Sequence, residues 1–366
     1  MFMVTLALLM TSAVRVVELT ATITLGTTPE GHYGVAYDSG KGEIFITNVD
    51  FNTVTVISDS TNTVVANITV GSLPYGAVYD SGKGEIFVAN FGADSVSVIS
   101  DSTNTVIANI TVGSQPSALA YDSGKNEISV ANYNSSSVSV ISDSTNNVVA
   151  NIAAGIEPSA IAYDSRKGEI FVGHAVNNHV LVISDSTNAV VANVTVENQP
   201  SALTYDSGKG EIFVANYNSS SVSVISDSTD LVVATLSTGV NPIGVVYDSG
   251  KGEIFVANYG SSSVSVISDT TNIIVANVLL DYNPPQGIGF DSGKGEIFVT
   301  HSENNAVSVI SDSSGTSASP STTPSQQLLS SLTADLLIAL LAIIIVVVVA
   351  VVLLRRRMGR ISTKLS

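Results

Sequence analysis

Residues 79–90 read Tyr-Asp-Ser-Gly-Lys-Gly-Glu-Ile-Phe-Val-Ala-Asn, and variants of that phrase begin at Tyr37, Tyr79, Tyr121, Tyr163, Tyr205, Tyr247 and Phe290. The spacing is 42 residues five times and then 43. A period in this range belongs to a solenoid, an array or a propeller. Around residue 121 the copy divides into four apolar runs, Ser117–Tyr121, Glu127–Asn132, Ser137–Ser142 and Asn147–Ala153. They are short, alternate in polarity and are rich in Val, Ile, Tyr and Phe, which is a strand pattern. The connections Asp122-Ser-Gly-Lys-Asn and Ser142-Asp-Ser-Thr-Asn carry turn residues and are short enough for hairpins. Four antiparallel strands per copy, seven copies and no helix between them predict an all-β, seven-bladed β-propeller. A linear β-solenoid usually has shorter coils and needs end caps, which the chain does not show.

Ring closure checks the count. The outer strand, as in Thr63–Val70, follows only six of the seven third strands. The seventh third strand, Val307–Ser311, runs straight into a Ser/Thr/Pro stretch. The missing strand stands at the other end, where Leu19–Gly26 aligns with Val64–Gly71. The N-terminal strand is therefore expected to pair with the last blade and clasp the ring, removing two open edges.

Outside the repeat the composition changes. Residues 1–13 are apolar, with Thr11 and Ala13 spaced as at a small-residue cleavage site but without a basic start; they are expected to be a signal segment. The propeller is assigned to residues 14–312. Residues 313–335 are Ser/Thr/Pro-rich and predict an extended stalk. Leu336–Leu354 has 19 residues without a charge, Gly or Pro, about enough helix to cross a bilayer. Arg355, Arg356 and Arg357 follow, so residues 355–366 are expected to be a basic cytoplasmic tail, with the propeller extracellular.

Charge and cysteine content exclude several classes. Five of the 14 basic residues lie after Leu354, leaving nine against 31 acidic residues, a net of −22 on the rest of the chain. Such a surface argues against nucleic acid as a partner. With no cysteine, disulfides, zinc–thiolate sites and thiol nucleophiles are absent.

The phrase Ile-Phe-Val-Ala-Asn at 86–90, 212–216 and 254–258 resembles the Tyr-Val-Thr-Asn signature of the YVTN β-propeller repeat. Ser-Val-Ser-Val-Ile-Ser-Asp-Ser-Thr-Asn and Val-Val-Ala-Asn-Ile-Thr-Val-Gly-Ser-x-Pro match the same repeat, and the resemblance covers roughly residues 18–312. It implies surface-layer-like proteins of archaea or bacteria, and says more about fold and setting than about activity. His174 and His301 depart from the repeat, standing where it has Asn48, Asn90, Asn132, Asn216 and Asn258.

The turns after the first and third strands share one face and are near-copies, so they are expected to be structural. They lack the spaced carboxylates of a calcium loop. Loops after the second and fourth strands share the other face and vary from copy to copy. That face gathers Tyr33, Phe51, Tyr75, Phe91, Tyr133, Tyr217, Tyr259 and Tyr282 among Asn and Ser, which suits contact with a glycan or a protein. The plainer reading is that each ring covers the end of its own blade. His174, His179 and His301 are expected to be replacements at loop starts rather than metal ligands. Five sequons, at Asn67, Asn109, Asn134, Asn193 and Asn218, permit glycosylation; the three in outer strands, Asn67, Asn109 and Asn193, are expected to be partly shielded.

The upper channel should be lined by the starts of the inner strands: Tyr33-Gly, Tyr75-Gly, Ser117-Ala, Ser159-Ala, Ser201-Ala, Ile243-Gly and Gln286-Gly. Propeller lactonases and lyases hold a metal or acid/base groups there, and these pairs contain no Asp, Glu, His, Lys or Arg. The expectation is a single-span cell-surface protein that binds a protein or glycan or has a structural role, without enzymatic activity or cofactor. The alternative is a membrane-tethered hydrolase or lyase.

Overall fold

In the copy around residue 121 the four strands run Pro116–Asp122, Glu127–Asn132, Ser137–Ser142 and Asn147–Ala153, hydrogen-bonded in that order. Every neighbouring pair is antiparallel, with Glu127 opposite both Asp122 and Ser142. The other copies do the same, and the structure, a computed structural model, contains seven four-stranded sheets. It describes residues 15–25, 31–282 and 284–314. The signal segment, most of the stalk, the apolar stretch 336–354 and the basic tail lie outside the described residues. Among the described residues no helix is long and apolar enough to cross a membrane.

We number the blades 1 to 7 in chain order, with inner strands His32–Asp38, Pro74–Asp80, Pro116–Asp122, Pro158–Asp164, Pro200–Asp206, Pro242–Asp248 and Pro285–Asp291. Blade 7 takes its outer strand from the N-terminus: Arg15–Thr24 lies against Ala306–Ser314. Leu25 N donates to Asn305 O at 2.9 Å and Thr20 Oγ1 to Val309 O at 3.1 Å. The clasp expected from the repeat count is present, and it starts four residues earlier than the alignment placed it.

The core consists of seven interblade wedges. Phe45, Val54, Val56 and Ile68 of blade 1 meet Ile86, Val88 and Ile99 of blade 2. The wedge between blades 7 and 1 has nearly the same composition, with Ile46 for Val88: Ile23, Phe298, Val307 and Val309 against Ile44, Ile46 and Ile57. Second strands are buried on both faces because each blade is covered by two neighbours, which is why their sequence is continuously apolar. Outer strands alternate, as in Thr63–Thr69. Six blades bury a Phe in the second strand; blade 3 has Ser129 there, also buried.

A polar ladder crosses the sheets of blades 1, 2, 3 and 6. Asn132 Nδ2 donates to Ser137 Oγ at 3.2 Å and Ser139 Oγ at 2.9 Å, and Ser139 Oγ donates to Asn151 Oδ1 at 2.8 Å. The repeated Asn of the signature is thus a buried cross-link between strands.

Candidate functional site

The channel wall begins with a backbone irregularity. Pairing of inner and second strands slips between Pro116 and Ala118, leaving Ser117 unpaired, and a slip at the same place recurs in every blade, two residues long in blades 1, 2 and 7. A bulge re-aims the side chain it carries. Here it turns Tyr33, Tyr75, Ser117, Ser159, Ser201, Ile243 and Gln286 onto a cavity of about 620 Å³. The sequence placed these seven positions correctly.

Two devices hold adjacent inner strands at this point. Ser117, Ser159 and Ser201 donate through Oγ to Pro158 O, Pro200 O and Pro242 O of the next blade, at 3.2, 3.2 and 2.8 Å. In blade 1, Gly34 N donates to Thr47 Oγ1 at 2.7 Å, which donates to Tyr75 O at 2.6 Å. Gly287 N likewise donates to Thr300 Oγ1 at 2.8 Å. Gly287 and Gly34 are required here by close approach. A Cβ on Gly287 would overlap the Tyr33 carbonyl, and one on Gly34 the Tyr75 carbonyl.

That close approach lets aromatic rings crowd one side of the mouth. Tyr33 and Tyr75 stack at 4.8 Å, Tyr75 and Phe91 at 4.6 Å, and Phe91 meets Tyr133 tilted at 6.3 Å. The Tyr133 hydroxyl donates to Glu157 Oε2 at 2.7 Å. Tyr217 and Tyr259 form a second, tilted pair at 6.2 Å on blades 5 and 6. Burial, then the neighbouring Tyr75, Tyr259 and Asp50, raises the Tyr33 pKa. Burial also raises that of Tyr75, and the Glu157 hydrogen bond that of Tyr133. These phenols stay neutral at physiological pH.

Of the predicted aromatics, only Phe51 and Tyr282 are well exposed, at 50% and 39%. Phe51 is not in the row. Tyr282 rests against buried His301 at 5.8 Å. The others are half-buried, and Tyr75 has a ring on each of its faces, so it offers a ligand its edge and hydroxyl. The structure therefore joins the two readings: the rings cover blade ends and also wall the mouth.

The position before the blade-entry proline gave no signal in the sequence because its side chain varies among Leu, Gln, Glu and Asn. Leu73, Gln115, Glu157, Gln199 and Asn241 all adopt φ between 51° and 60°. Left-handed backbone at a non-glycine residue before proline is costly and clusters at functional sites. Each carbonyl is fixed by the start of the loop after the second strand; Tyr133 N donates to Gln115 O at 2.9 Å and Tyr217 N to Gln199 O at 2.8 Å. Five variable side chains are thereby presented beside the mouth on rigid backbone.

His174 and His301 occupy the Asn positions as expected. His301 Nε2 contacts Ser308 Oγ at 2.8 Å, the bond an Asn makes elsewhere. His174 finds Leu181 where other blades have Ser or Thr, and its Nε2 turns to the Ala154 carbonyl instead. Among the described residues no group of three His, Asp or Glu is placed to hold a metal ion. The five sequon asparagines are all exposed, including the three in outer strands that were expected to be shielded. Outer strands present one side of their alternation to solvent, and the Asn lies on it. Asn67 and Asn109 accept through Oδ1 from Thr55 and Ser97, both at 2.8 Å.

The opposite face is occupied with holding the ring together. Asp38 Oδ1 accepts from Gly40 N at 2.8 Å and Lys41 N at 3.1 Å, closing the turn. Lys83 Nζ reaches the Asp143 carbonyl of the next blade at 2.7 Å, and Lys167 the Asp227 carbonyl at 2.6 Å. Lys41, Lys125, Lys209 and Lys294 make the same contact to Asp101, Asp185, Asp269 and Asp59. The Tyr of the repeated phrase lies between carboxylates of two blades. Tyr163 donates to Asp185 at 3.2 Å, and burial and then Asp122 of the preceding blade raise its pKa well above the usual phenol range. These latches were not foreseen, because the chain places their two halves 60 residues apart.

No curated protein sequence matches the chain. Among solved structures it is similar to a chain of the Kuenenia stuttgartiensis hydrazine synthase, at 17% identity and a TM-score of 0.71, over 79% of this chain and 97% of that one. That likeness carries the fold. The profile of the YNCE-like β-propeller matches residues 77–272, more than half of the 366. Seven repeated blades and that match lead to one assignment: the chain belongs to the YNCE-like β-propeller family.

Proposed function

We propose that this protein is a binding module whose variable loop face recognises a protein or glycan partner, displayed outside a prokaryotic cell on a stalk and a C-terminal span. The supporting observation is the division of labour between the faces. One is spent on interblade latches; the other carries a row of aromatic rings and five side chains of four types on strained, fixed backbone. Interface energy concentrates in a few aromatic or Arg anchors. A surface-layer-like setting fits the YVTN resemblance and the 336–354 stretch. Sequons suit that setting: Asn67 follows half-exposed Val65 on the same side of an edge strand, so a glycan there would shield an apolar edge. A tethered hydrolase or lyase is the less favoured reading, since the cavity is lined with tyrosines as its only titratable groups among the described residues.

The test replaces Tyr133, Tyr217 and Tyr259 together by Ser and probes a glycan and protein array. Binding should weaken by about 1–3 kcal/mol. Because these rings are half-buried, the melting curve is followed in parallel. The control is Ser102, Ser144 and Ser186 to Ala, exposed tips of the opposite face. Lysines of that face are unsuitable, since they latch blades. If the serine control loses binding and the tyrosine triple retains it, the wrong face has been chosen. Location is tested separately: protease added to intact cells should release the propeller, and protection until lysis would reverse the orientation.

A further inference from the structure

We propose that the channel mouth binds an uncharged saccharide of about disaccharide size, clamped between the ring edges of Tyr33 and Tyr75 and the side-chain amides of Gln199 and Gln286. This rests on the loop face being the binding face and names a ligand class for its centre.

Size comes first. The cavity of about 620 Å³ lies within the range of roughly 300–1,000 Å³ usual for small-molecule sites. Charge comes next. The described chain is strongly acidic, yet among the described residues no carboxylate, amine, guanidinium or imidazole lines the cavity. A phosphate, carboxylate or ammonium entering it would lose hydration without a counter-charge in the wall. An uncharged ligand has no such cost.

Hydrogen-bonding capacity then separates a polar guest from an apolar one. The channel serines are already committed to neighbouring blades. Gln199 and Gln286 are different: both line the cavity, both are half-buried, and neither side-chain amide has a partner among the described residues. An apolar guest would strip water from these amides without replacing its bonds, at a net loss. A saccharide presents hydroxyls that both donate and accept, which suits an amide with both functions. Its C–H surfaces suit the edges and end face of the aromatic row. Position completes the case. Gln199 has left-handed backbone, φ 60°, held by Tyr217, so its side chain projects from a fixed base. In a ring of seven, its blade 5 stands across the channel from blades 1 and 2, which carry Tyr33 and Tyr75.

The test titrates the full-length chain calorimetrically with maltose, cellobiose, lactose and N,N′-diacetylchitobiose, and with glucuronic acid and glucose 6-phosphate. At least one neutral disaccharide should bind saturably and both charged sugars should fail. Changing Gln199→Ala with Gln286→Ala should weaken that binding by roughly tenfold, about one net hydrogen bond's worth, without shifting the melting curve. If the alanine pair does melt early, Gln199→Met with Gln286→Met keeps the side-chain length and removes the amides. Failure of all four neutral sugars, equal binding of a charged one, or wild-type titration by a folded double variant overturns the proposal. Tyr217→Ser with Tyr259→Ser separates it from the partner-binding reading, because neither residue lines the cavity. That pair should lose array binding and keep the saccharide.

Discussion

Gly287 shows how much one missing Cβ decides. Its inner strand approaches the Tyr33 carbonyl so closely that an added carbon has no room, and backbone cannot swing away as a side chain can. Gly287→Ala should therefore cost about 2–3 kcal/mol, the upper range of overpacking, and displace Tyr33 from its stack on Tyr75. Thermal melts and the environment of the Tyr33 ring in NMR spectra check both parts. A variant with wild-type stability and an unchanged ring signal would show that blade 7 can retreat. Ser129 is the opposite case, a small residue where six blades bury Phe, and nothing in the structure explains it. The crowding at Gly287 is not visible in its own neighbourhood along the chain, since the nearest atom belongs to another blade.

Strands and turns were the most legible elements. The Asp of each Asp-Ser-Gly-Lys turn accepts from the backbone two and three residues on, a local interaction that local sequence encodes. Boundaries in blade 3 were placed within a residue, because Pro116 and the turn residues punctuate the pattern. The clasp was legible through counting alone: seven third strands and six following outer strands leave one to be found. Its importance is energetic as well as topological. Ile23 is buried in the wedge between blades 7 and 1, with Val17, Leu19, Ala21 and Leu25 packed beside it or in the adjoining wedge. Burying one Ile contributes about 1.5–3 kcal/mol. A chain lacking residues 1–26 should melt lower by roughly 5–10 °C. It should also aggregate, since the third strand of blade 7 becomes an open edge. Calorimetry and light scattering measure the two effects, and an unchanged melt would mean that the ring closes without this strand.

For the whole molecule, the latch face predicts an uncommon pH response. Burial, reinforced by neighbouring carboxylates and only partly offset by lysines, raises the pKa of Glu85, Glu127, Glu296, Asp101 and Asp143 above the ordinary carboxylate range. In the window between ordinary and raised values the folded chain binds more protons than the unfolded one, so stability rises as pH falls. Net negative charge, repelling itself, acts in the same direction. The melting temperature should rise from pH 7 toward about 5, and Glu85→Gln should flatten the slope. A melting temperature that falls over that interval contradicts the assignment. By itself the sequence determined the all-β class, seven blades, the four-strand order, the clasp and the location of the variable face, because periodicity and turn chemistry are local and were written seven times. Only the tertiary structure decided that Tyr33, Tyr75, Phe91 and Tyr133 form one row, that Gln199 faces the cavity, and that the conserved-looking Lys and Tyr of the repeat latch neighbouring blades. Most of those relations depend on distances between groups about 40–60 residues apart, set by bulges, close glycine contacts and ring closure, none of which has a signature in any single copy.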